Sequence, residues 1–374
     1  MVTDARSPAE SAGGTDGAAR SARRTAGPAV LAGVGVAHPP AISQDDLWEG
    51  FFSQHYAGVA RGLAKRIFAN AGVVTRHAVI NPMVEDPSRW STGFRMHRYL
   101  TEALPLGKDA VSTALGQAGV PASDVGLLVV CSCTGYVTPG LDILLARDLG
   151  LPPDARRVFV GHMGCYAAMP GLDVASDYVA LHGRPAILLC VELPSVHVQP
   201  ATVDPQQVVA HALFSDAAAA VVLTPGGPGY RMAEVAALTD TTTADHMTWH
   251  ITDLGFRMGL SSRVPDVLSR YVGPLVEPML ARNGLEVSQV DGWAVHPGGP
   301  RILEVVAGQL DLPAAAMAAS RTGLAEHGNC SSPTVLMILD RLLRQRAAGD
   351  APGPMMLMAF GPGLTLYAGL FQPA

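Results

Sequence analysis

Long apolar runs alternate along the chain with stretches whose apolar residues recur every three to four positions, the pattern of buried strands joined by amphipathic helices. Gln117–Ser132 reads QAGVPASDVGLLVVCS: the end of a helical stretch, a turn at Gly119, and an apolar strand. Arg282–Pro297 reads RNGLEVSQVDGWAVHP and aligns with it without a gap, pairing Gly119 with Gly284, Ser123 with Ser288, Val125 with Val290 and Val130 with Val295. The correspondence continues in the same order. GHMGCYAAMPGL (161–172) lies opposite AEHGNCSSPTVL (325–336), setting Gly164 against Gly328 and Cys165 against Asn329. RPAILLCVELPS (184–195) lies opposite GPMMLMAFGPG (353–363), and AAAAVVLTPG opposite LTLYAGLFQP. Four ordered matches predict two copies of one strand–helix unit. Strands this apolar need helices on both faces of their sheets, so the fold class expected is an α/β sandwich of duplicated halves. The expected division is a first half over 29–233 and a second over 234–374, preceded by a tail (1–28) too rich in small and polar residues to order itself.

Composition narrows the function. With 26 Lys+Arg against 32 Asp+Glu the chain lacks the basic footprint of a nucleic-acid binder. No apolar run reaches the roughly 18 residues that span a bilayer, and the N-terminal stretch lacks the continuous apolar segment of a secretory signal. Five cysteines, an odd number scattered over the chain, do not form a disulfide framework. The expectation is a cytoplasmic protein with free thiols, without membrane or nucleic-acid partners.

Duplication also locates the chemistry. Cys165 and Asn329 each follow a glycine and each open a helical segment, so both are expected near helix N-termini, where unpaired N–H groups favour a thiolate. His296 lies just past the first strand of the second half, where its imidazole would face Cys165. A Cys–His pair makes an activated nucleophile, and an asparagine adds a neutral donor for a developing oxyanion. Each residue alone has an ordinary explanation: a small buried thiol, a core histidine, a helix cap. Their matching positions in a repeat favour the joint reading. Cys131 and Cys133 form a C-x-C pair without the second pair a zinc site needs, so no metal is expected. Cys190 and Cys330 read as packing, and His162 and His327 as neighbours of the site motifs without an assigned role. No phosphate-cradling loop is present.

The segments GHMGCYAAMPGL, WAVHPGGPRIL, EHGNCSSPTVLMILDRL and AFGPGLTLYAGLF closely resemble the signatures of chalcone synthase-like, type III polyketide synthases, from about Ala29 to the C-terminus. The resemblance implies the thiolase-like αβαβα sandwich and a homodimer. It further implies that Cys165 is loaded from an acyl-CoA starter. His296 and Asn329 then hold the carbonyl of a malonyl-CoA-type extender as carbon dioxide leaves, and His296 keeps Cys165 ionised as an ion pair. CoA thioesters would be substrates, and no cofactor is implied. Phe214 and Phe256 match two gating phenylalanines; Ser331, Gly361, Pro362 and Gly363 match residues shaping the cyclisation pocket. Thr138, before a proline (Pro139) that is commonly cis in the family, matches a position reaching the partner's cavity. On the CoA side stand Arg66, Gly298 and Gly299.

The chain departs from the family at several points. Leu63 and Asn70 replace two lysines of the CoA-binding cluster, and Ala359 replaces the first glycine of the cyclisation loop. Two pocket threonines of plant members are Cys133, as in bacterial tetrahydroxynaphthalene synthases, and His197. The flexible thioethers of Met247 and Met258 suit an aliphatic chain, which favours an aliphatic starter released as an alkyl-pyrone or resorcinol-type ring. Cys133 points instead to a malonyl-primed tetrahydroxynaphthalene synthase. Outside this activity stand a ketoacyl-ACP synthase of the initiating type and, among non-enzymes, an acyl-binding scaffold.

Overall fold

Nine strands, joined edge to edge, carry the fold in this computed structural model, which describes residues 27–346 and 352–374. The tail expected over 1–28 lies outside the described residues except for Gly27 and Pro28. The strands are β1 (Ala29–Ala37), β2 (Leu127–Cys131), β3 (Arg156–Val160), β4 (Ala186–Glu192), β5 (Ala217–Pro225), β6 (Tyr230–Thr239), β7 (Gly292–Val295), β8 (Met355–Gly361) and β9 (Thr365–Pro373). Their order is β7-β8-β9-β6-β1-β5-β4-β2-β3.

One pairing scheme occurs twice. In the first half β2 runs parallel to β4, followed by antiparallel steps to β5 and β1. In the second half β7 runs parallel to β8, followed by antiparallel steps to β9 and β6. The strands matched in sequence are thus matched in topology, and an antiparallel contact between β1 and β6 joins the halves. Strand β3, paired in parallel with β2, has no assigned counterpart beyond β7.

Alternation along the strands explains the layers. Leu127, Val129 and Cys131 of β2 face the helix Ala168–His182, through Met169, Leu172 and Ala175. Ala294 and Leu357 belong to the same cluster, which includes the helix Pro333–Gln345. Leu128 and Val130 point the other way, to the long helix Thr92–Ala118. Trp293 and Val295 of β7, with Met356 and Met358 of β8, point outward to the helix Val264–Arg282. Two inner helices therefore lie between half-sheets, and each half-sheet carries an outer helix, giving the expected αβαβα order. No described helix is long and apolar enough to cross a membrane.

Candidate active site

The two inner helices begin at the residues the repeat singled out. Cys165 sits in a single 3-10 turn, Gly164–Tyr166, that runs into the helix starting at Ala168. Gly164 has φ +65°, and a side chain there would press on Pro362; a Cβ at Gly361 would meet the Tyr166 ring at 2.6 Å. Small residues at these points let the 361–363 loop close over the cysteine turn. Asn329 stands four residues before the helix starting at Pro333. Its N–H donates to Leu213 O at 2.8 Å and its carbonyl accepts from Ser215 N–H at 3.0 Å, so Phe214 and Asn329 form a parallel bridge. Gly328, at φ +70°, leaves no room for a Cβ between Leu213 O and Ser215, which explains the G-N sequence.

Cys165, His296 and Asn329 all line one cavity of about 540 Å³. His296 follows β7 directly and is held by its N–H donating to Met358 O at 2.8 Å. Its side chain is buried, and neither ring nitrogen has a hydrogen-bond partner. Two orphaned polar atoms at a buried site are costly unless a ligand meets them. The Asn329 Oδ1 accepts from Ser331 N–H at 2.8 Å, which turns the amide so that its NH2 edge remains for the cavity. Burial lowers His296 to about 3. Burial, offset in part by a hydrogen bond from Ser331 and reinforced by Glu192, pushes the Cys165 thiol up to about 12. Burial thus favours a neutral thiol and a neutral imidazole and opposes the ion pair expected from sequence, because desolvation penalises both charged forms.

Cys165 also opens onto a second, smaller cavity of about 40 Å³, shared with Cys133, Ser331 and Pro362. Phe214, Met247 and Met258 line both spaces, so the sulfur lies where a large chamber narrows to a small one. The large chamber is walled mainly by apolar side chains, among them Ile67, Val209, Leu260 and Leu268. Gly298 and Gly299 lie on its wall. Gly361 and Gly363 act through loop shape and line neither space.

Four expected residues fall elsewhere. Phe256 and His197 line a neighbouring cavity of about 50 Å³ that shares Phe214 with the large chamber and Pro194, Phe214 and Trp249 with the smaller space at Cys165. The His197 ring is fully engaged: Nε2 donates to Thr134 O at 2.7 Å, Nδ1 accepts from Phe256 N–H at 3.0 Å, and Phe256 stacks on it at 4.5 Å. Thr138 is exposed and lines a surface hollow with Tyr136, Ile143 and Phe159; its bond to Pro139 is cis. Arg66 is exposed on the helix Arg61–Ala69, whose Ile67, and Asn70 just beyond, reach the chamber instead.

Three further residues were not read from sequence. Arg301, directly after HPGGP, lines the chamber with a largely exposed side chain and supplies a cation there. Glu192, fully buried, accepts from Cys133 N–H and Thr134 N–H at 3.0 and 3.1 Å, and from the Thr134 and Ser332 hydroxyls at 2.7 and 3.2 Å. Burial still raises it to about 7. Its sequence signal was a lone carboxylate ending an otherwise apolar strand. Arg76, buried, donates to His211 O at 2.6 Å and Phe214 O at 3.2 Å, holding the strip that pairs with Asn329. Nothing in its local sequence marked it.

Comparison with known proteins agrees with this geometry. The N-terminal domain model of chalcone and stilbene synthases matches residues 17–227, and the C-terminal domain model residues 233–372. The chain is 35% identical over 326 residues to an alpha-pyrone synthesis polyketide synthase-like protein of Mycobacterium tuberculosis, covering 82% of this chain and 81% of the relative. It is 36% identical over 313 residues to 1,3,6,8-tetrahydroxynaphthalene synthase of Streptomyces peucetius, covering 82% of each. Among solved structures, a polyketide synthase of the brown alga Ectocarpus siliculosus superposes with a TM-score of 0.88 at 29% identity, covering 93% of this chain and 98% of that one. Tetrahydroxynaphthalene synthase of Streptomyces coelicolor superposes at 0.86 and 27%, covering 92% and 99%.

Proposed function

The chain belongs to the chalcone and stilbene synthase family and is a type III polyketide synthase, an acyl-transferring condensing enzyme, and on that premise we propose that it extends an aliphatic acyl-CoA and releases an alkyl-pyrone or resorcinol-type ring. One observation carries the choice of starter: Cys165 opens onto an apolar chamber of about 540 Å³, with Met247 and Met258 at its narrow end. A hydrocarbon chain gains roughly 0.8 kcal/mol per methylene buried in such a wall.

The residues take these roles. Cys165 Sγ attacks the starter thioester as the neutral His296 accepts the thiol proton and passes it to the departing CoA sulfur. An extender then sets its thioester oxygen against the His296 N–H and the Asn329 NH2. Loss of carbon dioxide leaves an enolate on that oxygen. Two neutral, preorganised donors stabilise the charge as it develops. The enolate carbon attacks the acyl group on Cys165, and the sulfur leaves as the new carbon–carbon bond forms. The growing chain occupies the chamber for ring closure, with Cys133, Ser331 and Pro362 bordering it at the sulfur. Arg301 takes the place of the absent lysines as a cation for CoA phosphates.

The enzyme acts as a homodimer through the face around Thr138. Tyr136, Ile143, Val158 and Phe159 are exposed there beside the edge strand β3, an apolar surface of the kind a partner covers. Five free thiols and CoA substrates favour the cytoplasm. Sedimentation at micromolar concentration is expected to give twice the 38.9 kDa chain mass; an active monomer removes the dimer from the mechanism.

A competition assay tests the starter. Malonyl-CoA is held constant while no starter, a short branched acyl-CoA or a long-chain acyl-CoA is supplied, and product masses are read. Acyl-CoA-dependent products are expected. Conversion of malonyl-CoA alone to a naphthol, unaffected by acyl-CoA, overturns the aliphatic reading in favour of malonyl priming, which Cys133 beside Cys165 would then explain.

A further inference from the structure

Three histidines from distant parts of the chain meet outside the active chamber. His38 follows β1, His77 ends the short strand Thr75–His77, and His327 ends the helix Ala318–His327. One ring nitrogen from each lies within 4.8 Å of those of the other two. The rings are 4.4 Å (His38–His77), 4.5 Å (His38–His327) and 5.2 Å (His77–His327) apart by their centroids. We propose that His38, His77 and His327 form a binding site for one divalent transition-metal ion of the zinc, cobalt, nickel and copper class, separate from the residues that carry the condensation.

Hydrogen bonding prepares the ligands. His77 Nδ1 lies 2.9 Å from Pro39 O, and a carbonyl only accepts, so Nδ1 carries the proton and Nε2 holds the free lone pair. A ligating histidine anchored by its other N–H to a backbone carbonyl is the usual support for a bound metal. Without an ion, that lone pair receives the His327 Nδ1–H at 3.1 Å. Metal binding moves the His327 proton to its Nε2, where the Glu326 carboxylate stands 3.8 Å away. This gives a second ligand backed by an outer acceptor. His38 Nδ1 is buried without any partner, an orphan that a metal would satisfy. Burial keeps all three imidazoles neutral, the ligating form.

The donor set selects the ion. Imidazole nitrogens without carboxylate or thiolate suit zinc, nickel, cobalt and copper, and reject magnesium and calcium. Three protein ligands leave a fourth position to water. Nitrogens on a tetrahedral zinc stand about 3.3 Å apart, so the rings must draw in by about 1.5 Å and break their stack. His38 and His327 are only partly buried, which gives the ion a path from solvent.

The test is a titration of chelator-treated, full-length protein carrying Cys165→Ala, so that the chamber thiol cannot bind the ion. Cobalt(II) is followed by visible absorption, zinc by competition, and thermal midpoints are read with and without zinc. One equivalent of cobalt with tetrahedral bands is expected, displaced by zinc and not by magnesium, with a raised midpoint. His38→Ala and, independently, His327→Gln are expected to abolish both signals, Glu326→Gln to weaken binding ~10-fold, and His250→Ala, at an exposed position, to change neither. Failure to bind a stoichiometric ion overturns the proposal, as does binding that survives both ligand substitutions. Activity is not the readout, so this outcome and that of the starter assay stand apart.

Discussion

Two cavities meet at Phe214, both with mainly apolar walls, and they differ in size and in the polar groups set into those walls. On one side lies the large chamber of Cys165, apolar along its length, its few polar groups gathered at the sulfur and at the rim. On the other lies a small space in which Arg76, His77, His197, Gln207 and His211 stand among apolar side chains such as Leu47, Phe52, Ile80 and Phe256. Those groups are largely bonded to backbone: Arg76 to His211 O and Phe214 O, His211 Nε2 to Gln199 N–H, His197 to Thr134 O and Phe256 N–H. One side is emptied for a substrate; the other is filled with polar contacts that keep the shared wall still. A flexible chain needs a featureless tunnel, but the carbonyl chemistry needs donors placed within fractions of an ångström. Placing these two demands on opposite sides of one phenylalanine satisfies both.

The steepest break in this comparison comes from the chamber's reacting groups. Cys165→Ala is expected to abolish product while retaining malonyl-CoA decarboxylation, and His296→Ala and Asn329→Ala to lose that decarboxylation by at least ~100-fold. Parental decarboxylation without Asn329 would remove it from the oxyanion site. Next comes the rigid side. Arg76→Leu leaves two carbonyls unpaired, costing about 1–3 kcal/mol of stability. It also lets the Phe214–Asn329 bridge drift, lowering decarboxylation ~10-fold or more in kcat with little change in KM. Lost stability with unchanged kcat would make Arg76 a structural brace only. Filling the apolar side has a smaller, selective effect: Leu260→Trp shortens the chamber and is expected to cut turnover of long-chain starters ~10-fold while sparing short ones. Equal losses for both would place the chain elsewhere.

The smallest effect separates the two sides by pH. Seven histidines are lowered by burial, four of them (His38, His197, His296 and His327) to about 3 or 4. The unfolded chain takes up their protons below pH 6.5 and the folded chain does not, so stability drains as pH falls from about 6.5 towards 4. Glu192 and Asp216, raised by burial to about 7 and 6, run the other way and cost stability as pH rises from about 4 to 7. Histidines outnumber these carboxyls, so thermal midpoints are expected to fall below pH 6, most steeply below pH 4.5. A midpoint constant from pH 7 to 4 would contradict the buried neutral histidines.

The repeat was legible because each copy keeps the same apolar period and the same glycine turns; β4 and β8, seven residues each, begin and end at aligned positions. Cys165, His296 and Asn329 were legible because the duplication singled out their positions. Phe256 and His197 line the space next to the Cys165 pocket, a placement fixed by hydrogen bonds that motif identity does not specify. Arg76 and Glu192 act through partners more than 50 residues away, among them Phe214 and Cys133, and no local pattern encodes such pairings. Arg301 directly follows HPGGP, but one arginine on a helix start carries no local signal that separates a ligand-facing cation from an ordinary surface charge.

The protonated state of Cys165 has a consequence beyond condensation. Burial favours the protonated Cys165 thiol, and the thiolate is the form that peroxides and alkylating agents attack. A solvent-accessible chamber admits such reagents as readily as a substrate, yet finds the sulfur unreactive. Reactivity arises only when a bound thioester presents its carbonyl carbon while His296 receives the proton. A protonated Cys165 is thereby expected to resist oxidation between turnovers.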